Sequence, residues 1–306
     1  MIGTEYLNFL KQFARIKKPL RVVCDASDGS TGPFLKKLRI PKTAIKVLNA
    51  RPDGNFPAHG PNPMKPGSEK ELSREVKKFR ADFGAIFDGD GDRAFFLDET
   101  GARIPPDAVS FLISKNFRPP YVTTENSGYL FRLGLPASKM KVSKAGHYFI
   151  KKTMRRLKAK FAAEISGHYH FEHIFGGRRA YYDSALRALV EFAGVVSELK
   201  EKGLTLSGWL KLISPPFATG ELNFSIQGGS ASGGKVKDAE AILRRIKKTY
   251  SKNKISELDG ISIGARDFWL NIRSSNTEPL LRLNLESKNK KVFSREFRRL
   301  KKLIYS

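Results

Sequence analysis

Two short apolar runs, FGAIF (83–87) and AFFL (94–97), flank the six-residue loop Asp88-Gly89-Asp90-Gly91-Asp92-Arg93. Apolar runs of this length, bounded by glycine and aspartate, read as buried strands rather than as pieces of a helix. A charged loop between two buried strands has to sit at the edge of a sheet, with its side chains facing solvent or a ligand. The residues before it follow the same logic. LRVVCD (20–25) reads as a buried strand opening into the turn-rich DASDGSTG, with a helix from Pro33 and a strand near 44–48. Residues 50–67 hold five prolines and three glycines, which block regular structure. Ser68 and Glu71 have the spacing of a capping box, and Leu72, Val76 and Phe79 fall on one face of the helix that follows. Strand and helix therefore alternate through the first hundred residues, which predicts an α/β domain with a mixed sheet.

A second alternating unit follows Pro105-Pro106: helix 107–116, strands 121–124 and 139–142, a helix with Ile150, Met154 and Leu157 inward, strand 160–164, and a long helix over 183–200. Pro215-Pro216 closes it. The last part changes character. A strand over 220–226 and the linker QGGSASGG (227–234) precede a basic helix, strands near 261–263, 268–273 and 280–285, and a terminal helix. The expected architecture is two α/β mixed-sheet domains (1–105 and 106–216) followed by a small α+β domain with an antiparallel sheet (217–306). No internal repeat stands out.

Composition removes several function classes. With 40% hydrophobic residues in 306, the chain can bury a core and is not a disordered tail. Its single cysteine, Cys24, can form no internal disulfide, and no apolar run approaches the roughly 18–20 residues of a membrane helix. The first eighteen residues lack the pattern of a signal peptide, so a soluble, cytoplasmic protein without a membrane partner is expected. The net charge of +26 invites a nucleic-acid reading. However, the basic runs (151–160, 244–248 and 295–302) alternate with apolar residues at helical spacing, as a solvated helix face does. No basic tail, zinc pattern or RNA-binding aromatic signature accompanies them, so no nucleic-acid partner is expected.

The three alternate carboxylates Asp88, Asp90 and Asp92 can converge on one hard cation, since glycine permits the turns that wrap a chain around an ion. Left alone they would repel by about 1 kcal/mol per pair at 4 Å in water, and by more in lower dielectric. An EF-hand is excluded: Arg93 stands where its sixth-position glycine belongs, and a strand follows the loop. Arg273-Ser274-Ser275-Asn276-Thr277-Glu278-Pro279, between two strands, offers a guanidinium, hydroxyls, an amide and backbone N–H groups suited to a phosphate. Glu164-Ile165-Ser166-Gly167-His168 could hydrogen-bond sugar hydroxyls. His147, at a helix start, could serve as an acid/base group or phosphate contact. His170 and His173 read as structural.

Taken in order, PDGNFPAHGPNP (52–63), FDGDGDR (87–93), KAGHYFIKKTM (144–154), AEISGHYHF (163–171) and RSSNTEPLLRL (273–283) resemble the α-D-phosphohexomutases of the phosphomannomutase/phosphoglucomutase group. The resemblance implies Mg²⁺ at Asp88, Asp90 and Asp92, and sugar contacts at Glu164, Ser166 and His168. It implies a cradle for the distal phosphate at Arg273, Ser275, Asn276 and Thr277, with Arg93 and His147 near the transferred phosphoryl group. The implied activity interconverts hexose 1-phosphate and 6-phosphate (mannose or glucose) through a hexose 1,6-bisphosphate. The family's first domain carries a Thr-Ala-Ser-His-Asn-Pro-like loop whose serine is phosphorylated, and these 306 residues contain no such loop. The expectation is a chain matching family domains two to four, with the serine-bearing domain supplied by a separate chain. The alternative is a catalytically inactive sugar-phosphate-binding protein. Where the family usually shows an Asp-Gly pair this chain has Arg178-Arg179-Ala180-Tyr181-Tyr182-Asp183, and no role is expected of Asp183.

Overall fold

In the computed structural model the chain is described apart from residues 1, 126, 128–130, 132–136, 176, 214–216, 227–233, 237, 276, 277 and 306. After helix α1 (Ile2–Lys11), the first sheet is built from β1 (Leu20–Asp25), β2 (Thr43–Leu48), β3 (Phe83–Phe87) and β4 (Ala94–Asp98) in the order β2-β1-β3-β4. β2 and β3 run parallel to β1, and β4 returns antiparallel to β3. Every residue of β3 and β4 is buried, as runs this apolar require. Helices α2 (Gly32–Lys37) and α3 (Lys70–Phe79) supply the crossovers. The expected capping box before α3 does not form. Ser68 Oγ instead donates to the Pro63 carbonyl at 2.7 Å, so the proline-rich loop takes the hydroxyl that would have capped the helix.

The second sheet repeats this plan. β5 (Tyr121–Thr124), β6 (Met140–Ser143), β7 (Phe161–Ala163), β8 (Tyr169–Phe175) and β9 (Arg178–Asp183) stand in the order β6-β5-β7-β8-β9, with β6 and β7 parallel to β5 and β8 antiparallel to β7. The β3–β4 loop and the β7–β8 loop thus occupy equivalent places in two sheets of one topology, a repeat the sequence does not display. The β8–β9 hairpin was not anticipated, although Gly176-Gly177 between two β-rich runs is a hairpin signal. Helices α4 (Pro106–Ser114) and α5 (His147–Leu157) lie close to the expected spans. So does α6 (Ala185–Glu201), which Ser184 caps by accepting from the Arg187 N–H. The short α7 (Leu206–Leu212) follows.

One hydrophobic core runs through both sheets, from Leu7 to Trp209, because α6 is buried nearly all round and packs between them. The Phe192 ring lies 4.4 Å from Phe96 and 5.2 Å from Phe83. At the other end Arg187 is buried with its guanidinium 3.7 Å from the Phe13 ring and 4.5 Å from Phe171, paired to Glu191 at 3.4 Å. The third sheet has its own core, under helices α8 (Ala239–Thr249) and α9 (Lys290–Tyr305). Its strands are β10 (Phe217–Ala218), β11 (Leu222–Ser225), β12 (Gly234–Lys235), β13 (Lys254–Ser256), β14 (Ile261–Gly264), β15 (Phe268–Ser274) and β16 (Leu280–Ser287). The pairing is antiparallel except between β11 and β12. A hydrogen bond from Ser256 Oγ to Glu125 Oε1, 2.8 Å, joins it to the second unit. The expected Pro215-Pro216 boundary and most of the 227–234 linker lie outside the described residues.

Candidate functional site

The two equivalent hairpin loops meet. Arg93 and His168 form an antiparallel bridge, and the Ala94 N–H donates to the Gly167 carbonyl at 3.0 Å. Gly167 makes this approach possible. Its φ is +91°, and a Cβ there would lie 2.9 Å from Phe95 Cζ and 3.2 Å from the Ala94 carbonyl oxygen. Backbone pairing between the first two units therefore brings the aspartate loop and the Glu-Ser-Gly-His loop side by side.

Asp88, at the end of β3, is buried. Its Oδ1 accepts from the Gly91 and Arg93 N–H groups, each at 3.1 Å, and its Oδ2 from Arg93 Nε. Burial nevertheless outweighs these donors and pushes its carboxyl up to about 6. Asp92 goes the other way, to about 2, held ionised first by its hydrogen bond with His168, whose Nε2 lies 3.4 Å from Asp92 Oδ1. Asp88, Asp90 and Asp92 each present a carboxylate oxygen within 4.8 Å of the others. An oxygen-only set of three, one of them buried at an energetic cost to its charge, suits a hard dication such as Mg²⁺. The loop is held from behind. Gly89 donates its N–H to the Pro61 carbonyl at 3.0 Å, and Ser30 Oγ donates to the Asp90 carbonyl at 2.6 Å. In the same 52–63 segment the Ala58 N–H reaches Asp28 Oδ2 at 3.0 Å, and His59 Nε2 lies 3.2 Å from Asp25 Oδ2. That segment is scaffold for the aspartate loop.

Across the bridge, His168 Nδ1 is hydrogen-bonded to Ser166 Oγ at 2.9 Å and lies 3.5 Å from Glu164 Oε2. Burial opposes the charge on His168, but the Asp92 hydrogen bond and the charges of Glu164, Asp92 and Asp183 outweigh it and raise its pKa. Burial would likewise raise Glu164, yet His170 and His168 hold it below the usual carboxylate range. His170, expected to be merely structural, is fully buried with Nε2 3.5 Å from Glu164 Oε2, so it orients that carboxylate. Burial lowers its own pKa. His173 is structural: buried, its ring stacks on Tyr182 at 3.7 Å.

His147 is the first residue of α5, and its ring stands 4.7 Å from that of His168. Asp183, of which no role is expected, lies in contact with His147. It ends β9 beside His147, with Oδ2 3.1 Å from His147 Nδ1, while its Oδ1 is 3.0 Å from Lys151 Nζ, one helical turn beyond His147. Burial works to raise Asp183, but His170, Lys151 and His147 together lower it. No sequence signal marks this pairing, because it depends on the unexpected β8–β9 hairpin.

Of the residues expected to hold the distal phosphate, Arg273 lies on β15 of the third sheet. Arg273 on β15 faces Arg282 on β16 in register, and both reach Glu221, at 3.4 and 3.0 Å. Arg282 also pairs with Glu278. Sequence reading named Arg273 but overlooked Arg282, which cross-strand pairing places next to it. The Ser275 N–H closes the loop onto the Leu280 carbonyl at 2.8 Å, while Asn276 and Thr277 lie outside the described residues. Two guanidiniums sharing one glutamate can exchange that partner for an anion.

Residues 4–101, 122–215 and 232–303 match family models described as phosphoglucomutase/phosphomannomutase alpha/beta/alpha domain II, alpha/beta/alpha domain III and C-terminal domain. The chain is similar to a phosphomannomutase of Methanocaldococcus jannaschii, 38% identical over 97% of this chain and 63% of the relative. It is also similar to one of Escherichia coli K12, 32% identical over 92% and 62%. It thus spans about 63% of the length of the curated relatives it matches. Among solved structures, a phosphoglucomutase/phosphomannomutase family protein of Burkholderia thailandensis aligns with a TM-score of 0.80 at 23% identity, over 98% of this chain and 64% of that one. An Aspergillus fumigatus N-acetylphosphoglucosamine mutase, in complex with GlcNAc-6P and magnesium, aligns at 0.56 and 17%, over 98% and 64%. At these identities the likeness is one of fold.

Proposed function

The chain belongs to the phosphoglucomutase/phosphomannomutase family of α-D-phosphohexomutases, and from that premise we propose that it carries the metal, sugar and distal-phosphate sites of an enzyme interconverting hexose 1-phosphate and 6-phosphate. The observation that carries the reading is the Arg93–His168 bridge, which sets an oxygen-only carboxylate group beside a Glu-Ser-His group. Asp88, Asp90 and Asp92 would hold Mg²⁺, which supplies neutralisation of charge on a phosphoryl group in transfer. Arg93, fixed by Asp88, presents its remaining guanidinium N–H groups to the same phosphoryl oxygens. His147, aligned by Asp183, can hold or release a proton at Nε2. Glu164 and Ser166, steadied by His170 and His168, accept and donate to sugar hydroxyls. Arg273, Ser275, Asn276 and Thr277, with Arg282 beside them, bind the phosphate at the other end. Passage through a hexose 1,6-bisphosphate requires that this cradle accept either end of the sugar. The units at 1–105, 106–216 and 217–306 divide these roles.

The phosphoryl donor would be a serine on a unit outside these 306 residues, since Ser166 and Ser275 lie in binding loops. The test is conversion of mannose or glucose 1-phosphate to the 6-phosphate with this chain, Mg²⁺ and the bisphosphate, with and without an added serine-bearing unit. Turnover on addition is expected. Calorimetric binding of hexose phosphate without turnover in either arm would identify a non-catalytic sugar-phosphate binder instead.

A further inference from the structure

We propose that Asp92, His147, His168 and Asp183 form a second metal centre, selective for borderline dications, Zn²⁺ foremost. It shares Asp92 with the oxygen-only group and His147, His168 and Asp183 with the functional reading above, but does not require that reading to hold. Each of the four residues offers a ligand atom within 4.8 Å of the others. The edges that the structure fixes are 3.1 Å, from His147 Nδ1 to Asp183 Oδ2, and 3.4 Å, from His168 Nε2 to Asp92 Oδ1. Zinc binds imidazole nitrogen and carboxylate oxygen at about 2.0–2.1 Å, and a tetrahedron of those radii has edges of about 3.3–3.4 Å. Two of the six edges thus already match a tetrahedral N₂O₂ set, and the other four are no longer than 4.8 Å. Two imidazoles favour zinc and its transition-metal neighbours over Mg²⁺, the reverse of the three aspartates alone.

The outer contacts are those of a metal site as well. A metal-ligating histidine commonly has its other ring nitrogen held by a carboxylate, a carbonyl or water. His168 turns Nε2 to Asp92, while its Nδ1 faces Ser166 Oγ at 2.9 Å and Glu164 Oε2 at 3.5 Å. Asp183 turns Oδ2 to His147, and its Oδ1 is anchored by Lys151 Nζ at 3.0 Å. The ligands come from four places — the β3–β4 loop, the start of α5, the β7–β8 loop and the end of β9 — so folding assembles the set. Because Asp92 belongs to both groups, an ion here takes one of the three carboxylates from the oxygen-only site and occupies His147 and His168. Zn²⁺ then antagonises Mg²⁺.

The experiment titrates the metal-stripped 306-residue chain with Zn²⁺ by calorimetry, and with Co²⁺ by visible absorption, which reads tetrahedral N/O coordination directly. One equivalent of Zn²⁺ and a tetrahedral Co²⁺ spectrum are expected, both retained in Asp90→Asn. Glu164→Gln is expected to weaken Zn²⁺ binding by about 10–100-fold, and His147→Ala and Asp183→Asn by more. Circular dichroism checks the fold of each variant. His147 is 42% exposed at its side chain, so His147→Ala keeps the test available should Asp183→Asn misfold. No binding by the parent, binding unchanged in His147→Ala, or binding lost in Asp90→Asn would each overturn the proposal. None of these readouts requires mutase turnover, so failure here and failure of the functional reading are separate results.

Discussion

Replacing Gly167 by alanine removes no functional side chain, yet it should disturb the junction on which the candidate site depends. An L-residue at φ +91° is strained, at about 1–2 kcal/mol by analogy with the left-handed helical region. The new Cβ would stand 2.9 and 3.0 Å from Phe95 Cζ and Cε2, and Phe95 is 2% exposed, packed among Val23, Leu72 and Val76. Overpacking of this kind costs about 1–3 kcal/mol. Against these stands the gain from restricting the unfolded chain, about 0.4–1 kcal/mol. The net expectation is a loss of about 1–5 kcal/mol. Urea unfolding followed by circular dichroism measures it. Combining Gly167→Ala with Phe95→Leu should recover part of the loss, because the two sites are in contact and their effects do not add. The loops should also part, so Gly167→Ala should weaken the His168–Asp92 contact and with it any metal bound there. If Gly167→Ala is as stable as the parent or more so, the argument that this backbone demands glycine is refuted.

Three further outcomes follow from other places in the structure. The Asp25 hydrogen bond raises the His59 pKa above its usual 6.5, so the folded state holds that proton more tightly. The resulting stability is fully present below pH 6.5 and is lost as pH rises through the higher folded value; melting temperatures of the parent and His59→Gln should therefore converge toward alkaline pH. Arg187→Met leaves Glu191 buried with only its Asn116 hydrogen bond and no ion pair, and should cost about 3–5 kcal/mol in denaturant unfolding, most of which Arg187→Met/Glu191→Leu restores. Arg273→Ala should weaken calorimetric binding of hexose phosphate by about 1.5–3 kcal/mol, the range of a hydrogen bond to a charged group, and unchanged affinity would remove Arg273 from the phosphate cradle.

Much of this was legible in one dimension because it depends on neighbours in the chain. FGAIF and AFFL had to be buried strands, and the three carboxylates between them had to share a loop. His147 was readable as a helix start because Gly146 precedes a stretch with Ile150 and Met154 on one face, and both are buried at 0% exposure. Local signals also misled. Ser68 has a capping-box partner three residues on, but a carbonyl from the preceding loop competes for its hydroxyl and wins.

What only the tertiary structure decided lies between segments far apart in sequence. Asp183 meets His147 because the β8–β9 hairpin ends beside the start of α5. Arg282 joins Arg273 through the β15–β16 register, and Arg93 pairs with His168 across two sheets of the same topology. Such meetings depend on strand register and on the helix α6 that packs the two sheets around one core, and neither is encoded by any local pattern. The residue types of the candidate site were therefore set along the chain, while their partners, and hence their charge states, were set by packing.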